Sequence, residues 1–290
     1  MRDLISLHYD NSPDPDDVHS VAAAKTIMDQ YGIQPHVVSG TYAKYRYVDH
    51  QNGVENYQPA SERVMRAAWG DNWLNAHNNW DFAVSETAQK WKDVINGGGH
   101  VWIAEAGTSD FTAEVLKKLQ QNRKSDGSPI TQADTKNQIH LVQHGSRTGN
   151  LNEGWTLPEN LAFVKANTDY TRIDNGNKGE GKGGDNRNNA TADLQLNGDS
   201  LGNYQERTRN FVNRAKSHPE YGPIWNQAFI FYSPFQNTDN TANPVWNEEH
   251  NRYIEMHCLD FSDTVEVLFI LGIGKDQVAN PGDFADMFFN

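Results

Sequence analysis

Short apolar blocks alternate with longer amphipathic stretches along the chain, and this rhythm predicts strands alternating with helices from the first residues onward. LISLHY (residues 4 to 9) is a largely apolar run that stops at Asp10 and a proline-bearing turn, as a buried strand of an α/β sheet does. VHSVAAAKTIMDQYG follows, with Val18, Val21, Ala22, Ile27 and Met28 at helical spacing and Gly32 placed for a C-cap. PHVVSG (35 to 40) arrives at the distance of a right-handed crossover to a parallel neighbour. The first 40 residues therefore read β–α–β.

The alternation continues. ASERVMRAAWG predicts a helix with Ser61 as N-cap and Glu62 in its first turn, and NWDFAVSETAQKWKDVI a long amphipathic helix ending at Gly97, Gly98 and Gly99. GHVWIAEAG (99 to 107) reads as a strand, DFTAEVLKKLQQ (110 to 121) as a helix and NQIHLVQHG (137 to 145) as a strand. LPENLAFVKAN reads as a helix with Pro158 in its first turn, and YQERTRNFVNRAK as another. QAFIFYSPF has the look of a strand, and DTVEVLFILG (263 to 272) is an apolar helix or strand opening at Asp263. Residues 174 to 199, rich in Gly and Asn, predict a long polar surface loop; their GKGG lacks the spacing and the preceding strand of a phosphate-binding loop. No fixed-period repeat and no linker-like boundary interrupts the series. The expectation is one doubly wound α/β domain over residues 1 to 290, with a mainly parallel central sheet and long loops at its carboxyl edge.

Composition narrows the partners. No apolar run reaches about 18 residues, and the N-terminus lacks the basic-then-apolar plan of a signal peptide, so a soluble chain without a membrane partner is expected. The compartment stays open, because a secreted protein with its signal removed reads the same way. The 25 Lys and Arg against 38 Asp and Glu leave a net charge of −13, which repels a phosphate backbone and argues against a nucleic-acid partner. The single cysteine, Cys258, makes neither an internal disulfide nor a thiolate zinc site, and only His257 offers it a basic neighbour.

The densest chemical signal is Asp10-Asn11-Ser12-Pro13-Asp14-Pro15-Asp16-Asp17, four carboxylates within eight residues between a strand end and a helix start. Like charges at contact repel by several kcal/mol at intermediate dielectric, so side chains that converge there need a cation or shared protons. Oxygen-only ligands select a hard ion, Ca²⁺ before Mg²⁺ when the cage is irregular. Strand carboxyl ends are also where α/β folds place ligands. Helix capping explains one or two of these acids, but not four with two prolines between them.

The order strand, D-x-x-x-D-P-D-D, helix resembles the N-terminal signature of the nucleoside hydrolase-like superfamily, whose typical members carry D-x-D-P-x-x-D-D after the first strand. PHVVSG stands where that family has its second strand, VWIAEAGTSDFTAEVLKKL resembles its strand, Gly-containing turn and helix, and Ser262-Asp263-Thr264 resembles its late metal-binding aspartate. Asp10, Asp16 and Asp17 match family aspartates, whereas Ser12 replaces the second aspartate and Asp14 appears where a small residue is usual. That form looks more like a divergent bacterial branch, sometimes labelled cellulose-binding. The resemblance implies a Ca²⁺-dependent hydrolase that cleaves an N-glycosidic, or other glycosidic, bond of a nucleoside-like or small sugar-containing substrate through a metal-activated water. It implies a cage of Asp10, Asp14, Asp17 and Asp263 with Asp16 on a substrate hydroxyl, Asp14 and Asp10 as candidate catalytic carboxylates, and dimers or tetramers as family assemblies. With Ser12 in place of the base, the alternative is a non-catalytic carbohydrate- or ligand-binding protein on the same fold.

Glycosidic cleavage also needs help for the leaving group. His8, His19, His36, His140 and His144 lie in or beside predicted strand ends, and His144, at the end of a strand on the expected ligand edge, is the candidate acid. Trp155 and Trp225, flanked by polar residues in predicted loops, are the candidates for stacking on a sugar or base. Residues 237 to 248 imitate a calcium loop, but Ala242 occupies the position that wants Gly. No G-x-S-x-G elbow occurs.

Overall fold

Apolar side chains at alternate positions give the strands two buried faces, and six of them pair into one all-parallel sheet. They are β1 (Leu4–Tyr9), β2 (His36–Ser39), β3 (Leu74–Asn75), β4 (Val101–Ala106), β5 (Ile139–Gly145) and β6 (Asp169–Asp174), in the order β3-β2-β1-β4-β5-β6. The computed structural model describes residues 3–11, 16–42, 58–145, 156–174, 176, 194–196, 204–229, 245–247, 252–254 and 259–290. The helices are α1 (Asp16–Gln30), α2 (Gln58–Trp69), α3 (Trp80–Asn96), α4 (Asp110–Gln120), α5 (Gln132–Gln138), α6 (Pro158–Asn167), α7 (Tyr204–Ser217), α8 (Gly222–Ala228), α9 (Val265–Ile270) and α10 (Pro281–Phe288). Among the described residues, two small antiparallel pairs complete the strands: β7 (Gln195–Leu196) with β10 (Leu259–Asp260), and β8 (Val245–Asn247) with β9 (Arg252–Ile254).

The sheet separates two cores. Leu7 and Tyr9 of β1, Ala104 and Ala106 of β4 and Val142 of β5 face a cluster built on α1, α2 and α7 to α10. Leu4, Val101, Ile103, Ile139 and Leu141 face the other way, onto α3, α4 and α6. The chain winds outward from β1 to β3 and then returns to pair β4 against the free side of β1. The direction of winding therefore reverses between β1 and β4, the position at which folds of this kind place a ligand crevice at the strand carboxyl ends.

The doubly wound reading stands, and several local expectations change. α2 begins at Gln58, so Ser61 is not an N-cap; it lies buried inside the helix with its hydroxyl 3.2 Å from that of Ser39. Gln227 and Ala228, expected in a strand, finish α8, and residues 230–235 of that segment lie outside the described residues. The stretch from Asp263 resolves into a 3₁₀ turn (Ser262–Thr264) followed by α9. β6 has no counterpart in the sequence reading, because Asp169, Thr171 and Arg172 interrupt its apolar pattern. Of the predicted long loop, residues 177–193 lie outside the described residues. Among the described residues no helix is long and apolar enough to cross a membrane.

Trp225 corrects a functional expectation. It sits on α8 at 0% exposure, with Phe211 edge-on and Phe229 stacked, each at 5.3 Å between ring centroids. Its indole N–H donates to the Thr26 hydroxyl at 3.2 Å. A ring enclosed by core aromatics and already hydrogen-bonded has no face for a ligand, so Trp225 is a packing residue. Trp225→Ala is expected to cost about 3–5 kcal/mol of unfolding free energy in a denaturant titration, and a loss below about 1 kcal/mol contradicts this placement.

Candidate metal centre

Backbone geometry at the ends of β1 and β4 assembles the site. The Asp10 amide donates to the Ala106 carbonyl at 3.1 Å, extending the β1·β4 ladder by one residue. Asn11 then turns with φ +62°, a left-handed conformation that Asn tolerates, and its side-chain amide donates to Ser39 at 2.7 Å. The turn points the Asn11 backbone N–H at Asp17 Oδ2. Across the crevice Gly107 has φ +121°, and a Cβ there would lie 2.2 Å from Asp10 Oδ2. Glycine is therefore demanded twice at this position, by conformation and by contact. The next amide, Thr108 N–H, donates to that same Asp10 oxygen at 3.3 Å. Gln143 of β5 braces the turn by donating to the Gly107 carbonyl at 2.6 Å.

Asp16 and Asp17 open α1 on this edge, and Asp263 enters from the 3₁₀ turn before α9. One ligand oxygen from each lies within 4.8 Å of the others, and all three residues are buried. Asp16 partly plays the expected capping role, accepting from the Asp17 amide at 2.9 Å. Asp17 Oδ1 is buried and, among the described residues, accepts no hydrogen bond. Burial, followed by the charges of Asp263 and Asp10 and a hydrogen-bonding contact with Asp10, pushes the Asp17 carboxyl well above its ordinary range. Tyr9, at the end of β1, is likewise raised by burial and then by Asp17, Asp263 and Glu266. The donors that the cluster offers are all hard oxygens. A divalent cation fits such a set.

His144, at the end of β5, faces the cluster with Nε2 3.7 Å from Asp263 Oδ1. Its Nδ1 lies 2.6 Å from Glu266 Oε1, and its backbone N–H donates to that oxygen at 2.8 Å. Burial alone depresses this imidazole, but Glu266, Asp263 and Asp10 outweigh it and hold its pKa at about 9.

The structure thus brings together Asp10, Asp16, Asp17, Asp263 and His144. Asp16, expected on a substrate hydroxyl, groups instead with Asp17 and Asp263 in the three-carboxylate set, while Asp10 abuts Asp17. Ser12, Asp14 and Trp155 lie outside the described residues, as do Cys258 and most of the calcium-loop imitation at 237–248. Glu266, Gly107 and Gln143 are additions. Glu266 had a usable signal, a carboxylate within the otherwise apolar VEVLFI, which is expensive to bury without a partner. The other candidate histidines have other settings: His140 lies near the amino end of β5 with Nδ1 2.8 Å from Asp169, His36 is partly buried with Nε2 2.9 Å from the Thr87 hydroxyl, and His19 is buried against the Phe229 ring. His8 joins Ser6 at 3.0 Å and Glu105 at 3.3 Å, the connectivity of a nucleophilic triad. All three are at 0% exposure beneath α3 and α4, so this is a buried polar network rather than a reactive site. No protein-family model, curated protein or solved structure matches this chain.

Two outcomes test the centre. Gly107→Ala should displace the Asp10 carboxylate and weaken Ca²⁺ binding at least about tenfold by calorimetry, with about 1–3 kcal/mol of lost stability; unchanged affinity removes Asp10 from the site. A raised folded-state pKa means the metal-free native state binds more protons than the unfolded chain, so stability falls as pH rises through the window. For Asp17 that window opens at about pH 4, and for His144 it runs from 6.5 to about 9. In chelator, melting temperature should therefore decline from pH 4.5 to 8.5, and the gain from added Ca²⁺ should widen over that range. A gain independent of pH contradicts the crowding.

Proposed function

We propose that this chain is a divalent-cation-dependent hydrolase, with Ca²⁺ the ion its oxygen donors favour, cleaving a glycosidic bond of a nucleoside-like or small sugar-containing substrate. The observation that carries the proposal is the convergence of buried Asp16, Asp17 and Asp263 at the winding reversal of the sheet, beside an imidazole anchored by a carboxylate. The resemblance of the Asp10 to Asp17 segment to the nucleoside hydrolase-like signature supplies the reaction class.

Asp16, Asp17 and Asp263 would hold the ion, with Asp10 alongside. Bound there, a divalent cation supplies positive charge that orients hydroxyl oxygens and acidifies water. Asp10, fixed by the Thr108 amide and by the tight approach of Gly107, is the carboxylate assigned to take a proton from the attacking water. His144, on the opposite wall at the end of β5, is assigned to protonate the departing nitrogen or oxygen as an oxocarbenium-like transition state forms. The burial of every member of this set strengthens each charge interaction among them.

The test is turnover of inosine, uridine and p-nitrophenyl riboside with Ca²⁺ and with chelator. Activity that disappears in chelator and returns with the ion is expected, and Asp17→Asn or Asp263→Asn should lower it by at least about a hundredfold. Saturable binding of ribose or nucleosides without turnover assigns the chain to the binding-protein alternative instead.

A further inference from the structure

Glu266 is at 0% exposure on a short helix whose other residues are apolar. A carboxylate there carries a desolvation penalty of several kcal/mol that leucine or phenylalanine would avoid, so its presence calls for a polar task. That task is visible at one oxygen. Glu266 Oε1 receives the His144 backbone N–H at 2.8 Å and faces His144 Nδ1 at 2.6 Å. The same atom thus grips both the main chain and the ring of one residue, which fixes where the ring sits and which nitrogen it turns inward. With Nδ1 committed to Glu266, Nε2 is the nitrogen directed at the carboxylate cluster, 3.7 Å from Asp263.

We infer that Glu266 is the positioning residue of His144: it holds the proton on Nδ1, prevents the ring from flipping, and reserves Nε2 for proton exchange with a molecule at the carboxylate cluster. A carboxylate behind a histidine does this in many sites, and such supporting partners matter by ten- to a hundredfold. Applied to the glycosidic hydrolysis proposed above, on which this application rests, the atoms balance. The Nε2 proton passes to the leaving nitrogen or oxygen as its bond to the anomeric carbon breaks with the electron pair. The oxygen of water bonds to that carbon and its proton goes to the Asp10 carboxylate; Asp10 then releases that proton to solvent as solvent returns one to Nε2, which restores both groups.

The experiment combines imidazole NMR with kinetics on the full chain. In the wild type the Nδ1 proton of His144 should resonate far downfield of the amides and vanish in His144→Gln. Glu266→Gln, which keeps an acceptor oxygen, should retain the signal but move it upfield, and Glu266→Leu should abolish it. With inosine, Glu266→Gln should lower kcat roughly tenfold and Glu266→Leu roughly a hundredfold, with KM within about twofold of wild type. p-Nitrophenyl riboside, whose leaving group needs little protonation, should be affected less. On a His144→Gln background neither change at Glu266 should lower kcat further, whereas a residue that only stabilises the fold costs the same on both backgrounds. If Glu266→Leu does not fold, Glu266→Gln carries the test through its shifted signal and its lost effect on that background. A His144 Nδ1 signal indifferent to Glu266, or equal kcat losses on both backgrounds, overturns the inference. If the wild type turns over neither substrate, the hydrolase reading fails while the NMR arm still decides the role of Glu266.

Discussion

Electrostatic repulsion at the sheet's winding reversal is the constraint around which this molecule is arranged. Three buried carboxylates share one small volume, with Asp10 against them, and the His144 ring stands 3.7 Å from one of them. Crowding carboxylates out of water carries a penalty of several kcal/mol that a cation or shared protons must offset. The surrounding structure reads as a device for holding the repulsion in place. Main-chain amides at Asn11 and Thr108 orient two of the acids, a glycine lets two strand ends approach, and the 3₁₀ turn before α9 brings in Asp263.

The two faces of the sheet have been put to different uses. On one, Ser6, His8, Glu105 and Thr112 form a closed polar network between Trp91 and Phe111, every member buried, and burial leads the influences that raise the Glu105 carboxyl. On the other, the strand ends carry the buried acidic cluster, and among the described residues Asp17 Oδ1 has no hydrogen-bond donor. Adjacent residues of β1 thus serve opposite ends. His8 ties the sheet to its helices, and Tyr9 lies within range of the charge cluster. The alternation of a strand is what allows neighbours in sequence to differ so completely in role.

Much of the fold was legible because it depends on local pattern. β1, α1, β2, β4, α4 and β5 all announced themselves by apolar runs and amphipathic periods. β3 and β6 were hidden because a two-residue strand and an edge strand need little apolar sequence. The acidic segment was legible as chemistry, since four acids in a strand-to-helix turn have few local explanations. The division of labour among them was not, because which carboxylates converge depends on where Asp263 arrives, a long-range fact. Trp225 misled for a related reason: polar neighbours in sequence can all point outward while the indole itself points in. Glu266 was passed over because it sits in a run read only for its hydrophobicity.

The late arrival of Asp263 and α9 also orders the life of the chain. During synthesis β1, α1 and α2 emerge well before α7 to α9, so the side of the sheet that carries Leu7 and Val142 is completed only when that later segment packs onto it. Until it does, part of that apolar face lacks the side chains that bury it in the finished fold, and a late-closing core of this kind slows folding relative to its early elements.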